Sequence, residues 1–123
     1  MRETVLLINF QDEKQLRDLK MILFTLKIRM KKVEKKEYLQ QIGFLAGMKN
    51  MEAAPECYEG EELEKEMMVF AGISNQRLGQ ILSMMRKNGV KRVDYKAILT
   101  ETNKTWTVPR LYEEISKEHE QMR

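Results

Sequence analysis

The sequence predicts an α/β domain in which two βαβα halves, each running strand-helix-strand-helix, build one four-stranded sheet with helices on both faces. Two apolar runs, Val5-Leu6-Leu7-Ile8 and Met67-Met68-Val69-Phe70-Ala71, are continuous rather than alternating, the pattern of strands covered on both sides. Each is followed by a polar cap and then by apolar residues at helical spacing, and each of those helices leads into a segment rich in Lys and Arg. Strict alternation of strand and helix favours a parallel sheet, and right-handed crossovers give it the order 2-1-3-4. The apolar strands are then central and the basic ones are edges, where charge discourages pairing with other chains. A ferredoxin-like α+β arrangement, βαββαβ with added helices and order 4-1-3-2, centres the same strands and stays open as the alternative.

Strand 1 is read over Val5 to Phe10. Asp12 caps helix 1, with Gln15 three residues on and Leu16, Leu19, Leu23 and Leu26 forming its apolar stripe. Ile28, Met30 and Val33, interleaved with cations, make strand 2. Tyr38, Leu39, Ile42, Leu45 and Ala46 predict a helix over Glu37 to Ala46, ended by Gly47. From Lys49 to Lys65 the pattern fails, so an exposed and mobile acidic loop, about 49–66, is expected to join the halves. Strand 3 is Met67 to Ala71, and Ser74 or Asn75 caps a helix carrying Leu78, Ile81, Leu82 and Met85. Asn88-Gly89 stops it, Val90 to Leu99 is strand 4, and Thr107 with Pro109 opens a last helix bearing Leu111, Tyr112, Ile115, His119 and Met122.

At 123 residues, with 42% hydrophobic and 33% charged, the chain reads as a single domain, 1–123, with halves at about 4–48 and 67–122 whose core positions correspond as in a weak internal duplication. Its longest apolar runs are far short of the roughly 20 residues that span a bilayer, and its start lacks the pattern of a secretory signal. A cytoplasmic location is expected. One cysteine, Cys57, allows no internal disulfide, and with His119 as the sole histidine neither a Cys/His catalytic pair nor a Cys/His zinc site is expected. No Gly-rich phosphate loop is present, so no nucleotide cofactor is expected.

The formal net charge of +3 is less informative than its distribution. Cations gather at Lys27, Arg29, Lys31, Lys32, Lys35 and Lys36, and again at Arg86, Lys87, Lys91, Arg92 and Lys96. Glu52, Glu56, Glu59, Glu61, Glu62, Glu64 and Glu66 oppose them. The basic strands carry only Tyr95 as an aromatic, which argues against a nucleic-acid reader that stacks bases.

The most distinctive segment runs from Lys96 through Ala97-Ile98-Leu99-Thr100-Glu101-Thr102-Asn103-Lys104-Thr105 to Trp106, the sole tryptophan. Together with Gly89, Thr107 and Leu111-Tyr112-Glu113-Glu114 it resembles the bacterial family called domain of unknown function 3783. Tyr38-Leu39-Gln40-Gln41-Ile42-Gly43-Phe44-Leu45-Ala46-Gly47 is similar to that family's first-half motif. Gln41 and Glu101 stand where the family pattern has proline, which implies less rigid loops here. The resemblance implies a single fold and no activity.

In the parallel sheet all four strands would end at one edge, and ligands bind where strand order reverses. Asn9 and Asp12 would meet Ser74, Asn75, Thr102, Asn103, Lys104 and Trp106 there, near helix N-termini suited to a small polar or anionic ligand. The structural reading of the same residues makes Asp12, Ser74 and Asn75 helix caps, Asn103 a turn residue and Trp106 a largely buried anchor for its loop. Ten methionines, among them Met21, Met67, Met68, Met84 and Met85 at or beside core positions, suit an adaptable core or an adaptable contact surface. The expected function is therefore a non-enzymatic binding or regulatory module that self-associates, with an unidentified small ligand or protein partner. A small-ligand or enzymatic pocket at the strand ends is the alternative, and nucleic-acid binding through the basic strands ranks below both.

Overall fold

A computed structural model describes residues 1–121; Met122, assigned above to the last helix, lies outside them. The two apolar runs become β1 (Thr4–Ile8) and β3 (Met67–Ala71), and every residue of both is buried. β2 (Arg29–Val33) and β4 (Tyr95–Ile98) flank them, giving the sheet order β2-β1-β3-β4. The order matches the expectation, with the two cation-rich strands as edges.

The sheet is mixed, however, rather than parallel throughout. β1 runs parallel to β2 and β3 parallel to β4, but the central pair is antiparallel, with Leu6 opposite Val69 and Thr4 opposite Ala71. Crossover handedness acts within each strand-helix-strand unit and leaves the direction of the second unit free. The long segment between β2 and β3 lets β3 enter from either end. Reversing the second unit moves its crossover helix, so α1 (Glu13–Thr25) and α3 (Asn75–Lys87) share one face and touch each other. Beneath them Val5, Leu7, Met68 and Phe70 pack with Leu19, Leu23, Ile81 and Met85. On the other face Leu6, Ile8, Met67 and Val69 pack with residues of α2 (Ile42–Leu45) and α4 (Val108–Gln121), chiefly Ile42, Leu45, Val108 and Leu111. Both faces are covered, and the ferredoxin-like order is not adopted.

Local chemistry sets the element ends. Asn9 turns out of β1 at φ 61, a left-handed conformation that asparagine tolerates. The Asp12 carboxylate accepts from Gln15 N at 2.9 Å and starts α1, and the Ser74 hydroxyl accepts from Arg77 N at 3.2 Å and starts α3. The helix expected over Glu37 to Ala46 is divided into a 3-10 turn at Lys35–Glu37 and the single turn of α2, because Gln41 between them is extended and bridges to Thr107. β4 is shorter than Val90 to Leu99, since the five residues of β3 offer partners only from Tyr95 onward. Met21 is not a core residue. Leu19, Ile22 and Leu23 take the inward face of α1 and turn Met21 outward.

The acidic loop is anchored rather than free. Gln40 exchanges two hydrogen bonds with the Ala54 backbone, Tyr58 packs on Tyr38 and bonds through its N–H to Lys36 O, and Asn9 Nδ2 donates to Leu63 O at 2.8 Å. Tyr38, fully buried, donates its hydroxyl to Glu62 at 2.6 Å, and burial first, then that carboxylate, pushes its pKa far up. Most of the glutamates stay in solvent while Ala54, Tyr58 and Leu63 hold the loop down.

Arg77 links the two units. Its guanidinium forms a two-pronged pair with Glu3, at 2.9 and 3.1 Å, and also donates to Leu26 O, an otherwise unfilled carbonyl at the end of α1. The arginine hydrogen bond holds the Glu3 carboxyl below its ordinary range. A carboxyl with a depressed folded pKa stabilises above its unfolded value, about 4.3, and loses that contribution as pH falls through the folded value. Glu3→Gln is therefore expected to melt below the parent at neutral pH, with the gap closing in acid below about pH 4.3; parallel melting curves across that range would refute the link.

Candidate functional site

Antiparallel pairing at the centre of the sheet separates the residues that a parallel sheet would gather. Chains leave β1 and β2 at one edge and β3 and β4 at the other. Asn9 and Asp12 therefore lie at one edge, and Ser74, Asn75, Thr102, Asn103, Lys104 and Trp106 follow the strands that end at the opposite one. The eight candidates do not form one site.

At the first edge Asn9 and Asp12 line a cavity of about 560 Å³, together with Gln11. Residues before β3 and β4 complete it: Glu64, Lys65 and Glu66 from one side, Lys91, Arg92 and Asp94 from the other. Asp12 is engaged as the α1 cap, and the Gln15 N–H, ahead of the Lys91 and Lys14 charges, lowers its pKa. Behind the wall sits Gln15, 2% exposed, whose amide N–H groups reach Glu66 at 3.0 Å and Lys91 O at 3.1 Å while its Oε1 has no partner among the described residues. Arg92 pairs with Asp94 at 3.0 Å, and Lys91 has no ion pair among the described residues. The cavity thus offers both signs of charge and two side-chain amides.

At the second edge the polar residues are occupied with structure. Asn103 is 9% exposed, accepts from Thr100 N at 2.9 Å through Oδ1 and donates to Ile98 O at 2.9 Å through Nδ2. Ser74 caps α3, Asn75 and Thr102 are exposed, and Lys104 pairs with Glu101. Trp106 is half-buried rather than largely buried. One face packs on the core while the Arg110 guanidinium lies 4.5 Å from the ring centroid. It still anchors its loop, which closes the start of α2: Lys104 O accepts from Gly43 N at 2.8 Å and Trp106 O from Ile42 N at 2.9 Å. Two unfilled helix donors are satisfied by a loop sixty residues away in sequence, roughly the separation of Gly43 from Lys104. A Cβ on Gly43 would stand 3.1 Å from that backbone oxygen and closer still to the sulfurs of Met48 and Met51, so a larger residue would force these neighbours to shift and glycine suits the approach. The two segments singled out in the sequence, Tyr38 to Gly47 and Lys96 to Trp106, are the two sides of one junction.

Sequence reasoning passed over two surfaces. On the outside of α1, Met21 is 65% and Phe24 80% exposed, one turn apart. Between α3 and β4 lies an apolar trough lined by Leu78, Leu82, Met85, Val93 and Ile98 and rimmed by Arg86, Arg92 and Lys96. From sequence the cations of β4 have two expected roles, edge protection and, ranked lower, nucleic-acid binding; the signal for the trough is Ile98, an apolar residue on a strand otherwise marked as a charged edge.

Residues 66–122 match the family model described as Domain of unknown function (DUF3783). The match supports the family read from the Lys96 to Trp106 segment, and the Tyr38 to Gly47 motif lies outside the matched residues. No curated protein and no solved structure matches the chain. No helix among the described residues is long and apolar enough to cross a membrane.

Gln41 sits at φ −69, the value a proline ring imposes, and its N–H makes no backbone hydrogen bond among the described residues. Gln41→Pro is expected to stabilise by about 0.4–1 kcal/mol through the unfolded chain. A thermal melt rising by a few degrees supports this account of the junction, and a fall refutes it.

Proposed function

We propose that this chain, as a carrier of that domain of unknown function, serves as a non-enzymatic interaction module that self-associates. The observation that carries the reading is the outward Met21–Phe24 pair, because large apolar side chains this exposed on consecutive helical turns suit a surface covered by another molecule. Arg2, Lys27 and Arg29 surround Phe24 in a shallow groove of about 440 Å³, so the covering surface should be acidic. The chain supplies one. In a second copy the loop carrying Glu52, Glu56, Glu59, Glu61 and Glu62 presents exposed carboxylates, whereas two α1 faces meeting would oppose cation to cation. Light scattering at micromolar concentration should report more than the 14.7 kDa monomer, and Phe24→Ser or high salt should return the monomer. A parent that stays monomeric at low salt sinks the reading.

A second reading keeps the polar cavity beside Asn9 and Asp12 as a site for a small zwitterion. What favours it is the unpaired Lys91 facing carboxylates across about 560 Å³. Titration calorimetry with a panel of free amino acids should give a binding isotherm that Lys91→Ala weakens. Absence of heat from every member of the panel removes this reading.

A further inference from the structure

The trough between α3 and β4 is a different surface, at the opposite margin of the sheet from the edge strand β2. Ile81 and Met85 of α3 are buried against the sheet, but Leu78 and Leu82 are only half-buried and leave the flank of β4 uncovered. Two adjoining hollows result, of about 340 and 150 Å³, which share Leu82 and Lys96. Phe70, Met85, Val93 and Ala97 contribute their apolar walls, and Ile98 stands 47% exposed at one end.

Every charged side chain that lines these hollows is a cation: Arg86, Arg92 and Lys96. Arg92 is paired with Asp94, while among the described residues Arg86 and Lys96 have no carboxylate within ion-pair distance. Lys96 donates to Val93 O, at 2.6 Å, and burial followed by the nearby Arg92 lowers its pKa, with Asp94 opposing. An incoming carboxylate would relieve that repulsion. A second copy offering the same face would bring cations onto cations, so the complement is an anionic surface with apolar side chains.

The backbone of β4 argues against strand addition. Because Leu99 N bonds to Phe70 O, alternation turns the Lys96 and Ile98 backbone outward. Asn103 already occupies Ile98 O, and His119 Nε2 donates to Asp94 O at 2.9 Å. Only Lys96 keeps both outward groups available, too little for a ladder, so recognition there runs through side chains.

We propose that the α3–β4 trough is a docking groove for an acidic amphipathic peptide segment of a partner protein, its apolar side chains entering beside Leu82 and Ile98 and its carboxylates meeting Arg86 and Lys96. The occupant is a helical segment with apolar residues at three- and four-residue spacing.

The test is fluorescence anisotropy with a synthetic helical peptide carrying leucine at positions i, i+3, i+4 and i+7 and glutamate elsewhere, against the same peptide with lysine for glutamate. Phosphatidylglycerol vesicles and a single-stranded RNA serve as competing anionic probes. The glutamate peptide should bind, with affinity falling about tenfold or more in Arg86→Glu and in Ile98→Asp and falling also with salt. Both positions are exposed, so these variants keep the fold, checked by melts that superimpose on the parent. Amide shift changes in heteronuclear NMR should centre on α3 and β4. Equal binding of both peptides, no binding in the high micromolar range, unchanged affinity in both variants, shifts centred on α1, or binding of vesicles or RNA alone would each overturn the proposal.

Discussion

Everything in this architecture depends on the antiparallel contact between β1 and β3, two strands with no residue open to solvent. Each strand-helix-strand unit has one apolar face under its own crossover helix and another left bare, and neither holds a hydrophobic core alone. Joining them edge to edge produces a continuous sheet and lets α1 and α3 close one side together. Burying one such side chain contributes roughly 1.5–3 kcal/mol, so the paired central strands supply much of what offsets the chain entropy. The reversed direction of the second unit also decides where function can lie. It places the ends of β3 and β4 away from those of β1 and β2, and a ligand site assembled from all four strand ends has no place in such a sheet.

The second organising contact is the junction of α2 with the loop before α4. A one-turn helix has almost no internal stability, because nearly all its backbone groups lie within its own ends. Carbonyls of Lys104 and Trp106 complete it, Gly43 permits the approach, and Tyr38 O accepts in return from Val108 N. Tyr38 belongs to this junction as well as to the anchoring of the acidic loop through Tyr58 and Glu62. Distinctive sequence here reflects backbone geometry more than chemistry.

Much of the fold was legible in the residues. Unbroken apolarity at Val5–Ile8 and Met67–Ala71 marked the central strands, Lys and Arg marked the edges, and Asp12 and Ser74 marked the helix starts, since each signal is local and needs no distant partner. The direction of β3 was not legible, because handedness constrains a crossover and not the longer connection between units. The break at Gln41 was hidden for a related reason: its partner Thr107 is remote in sequence, and helical spacing on both sides reads as one helix. The candidate residues were grouped on an assumed common edge, so their grouping failed with that assumption even though Asp12, Ser74 and Asn103 hold the capping and turn positions their side chains suit. Phe24 and the α3–β4 trough were missed because exposure of an apolar side chain depends on which neighbour covers it, and only the assembled sheet settles that.

The register that places Thr4 beside Ala71 has a consequence for the order in which the molecule can be built. During synthesis the first unit emerges with Val5 to Ile8 already extended and apolar along an unpaired edge, and its mate follows only after the whole acidic loop has been made. Non-local pairing of this kind slows folding and leaves an adhesive strand open in the interval. The glutamates that precede Met67 would then act as a charged escort, keeping nascent chains apart until β3 arrives to close the sheet.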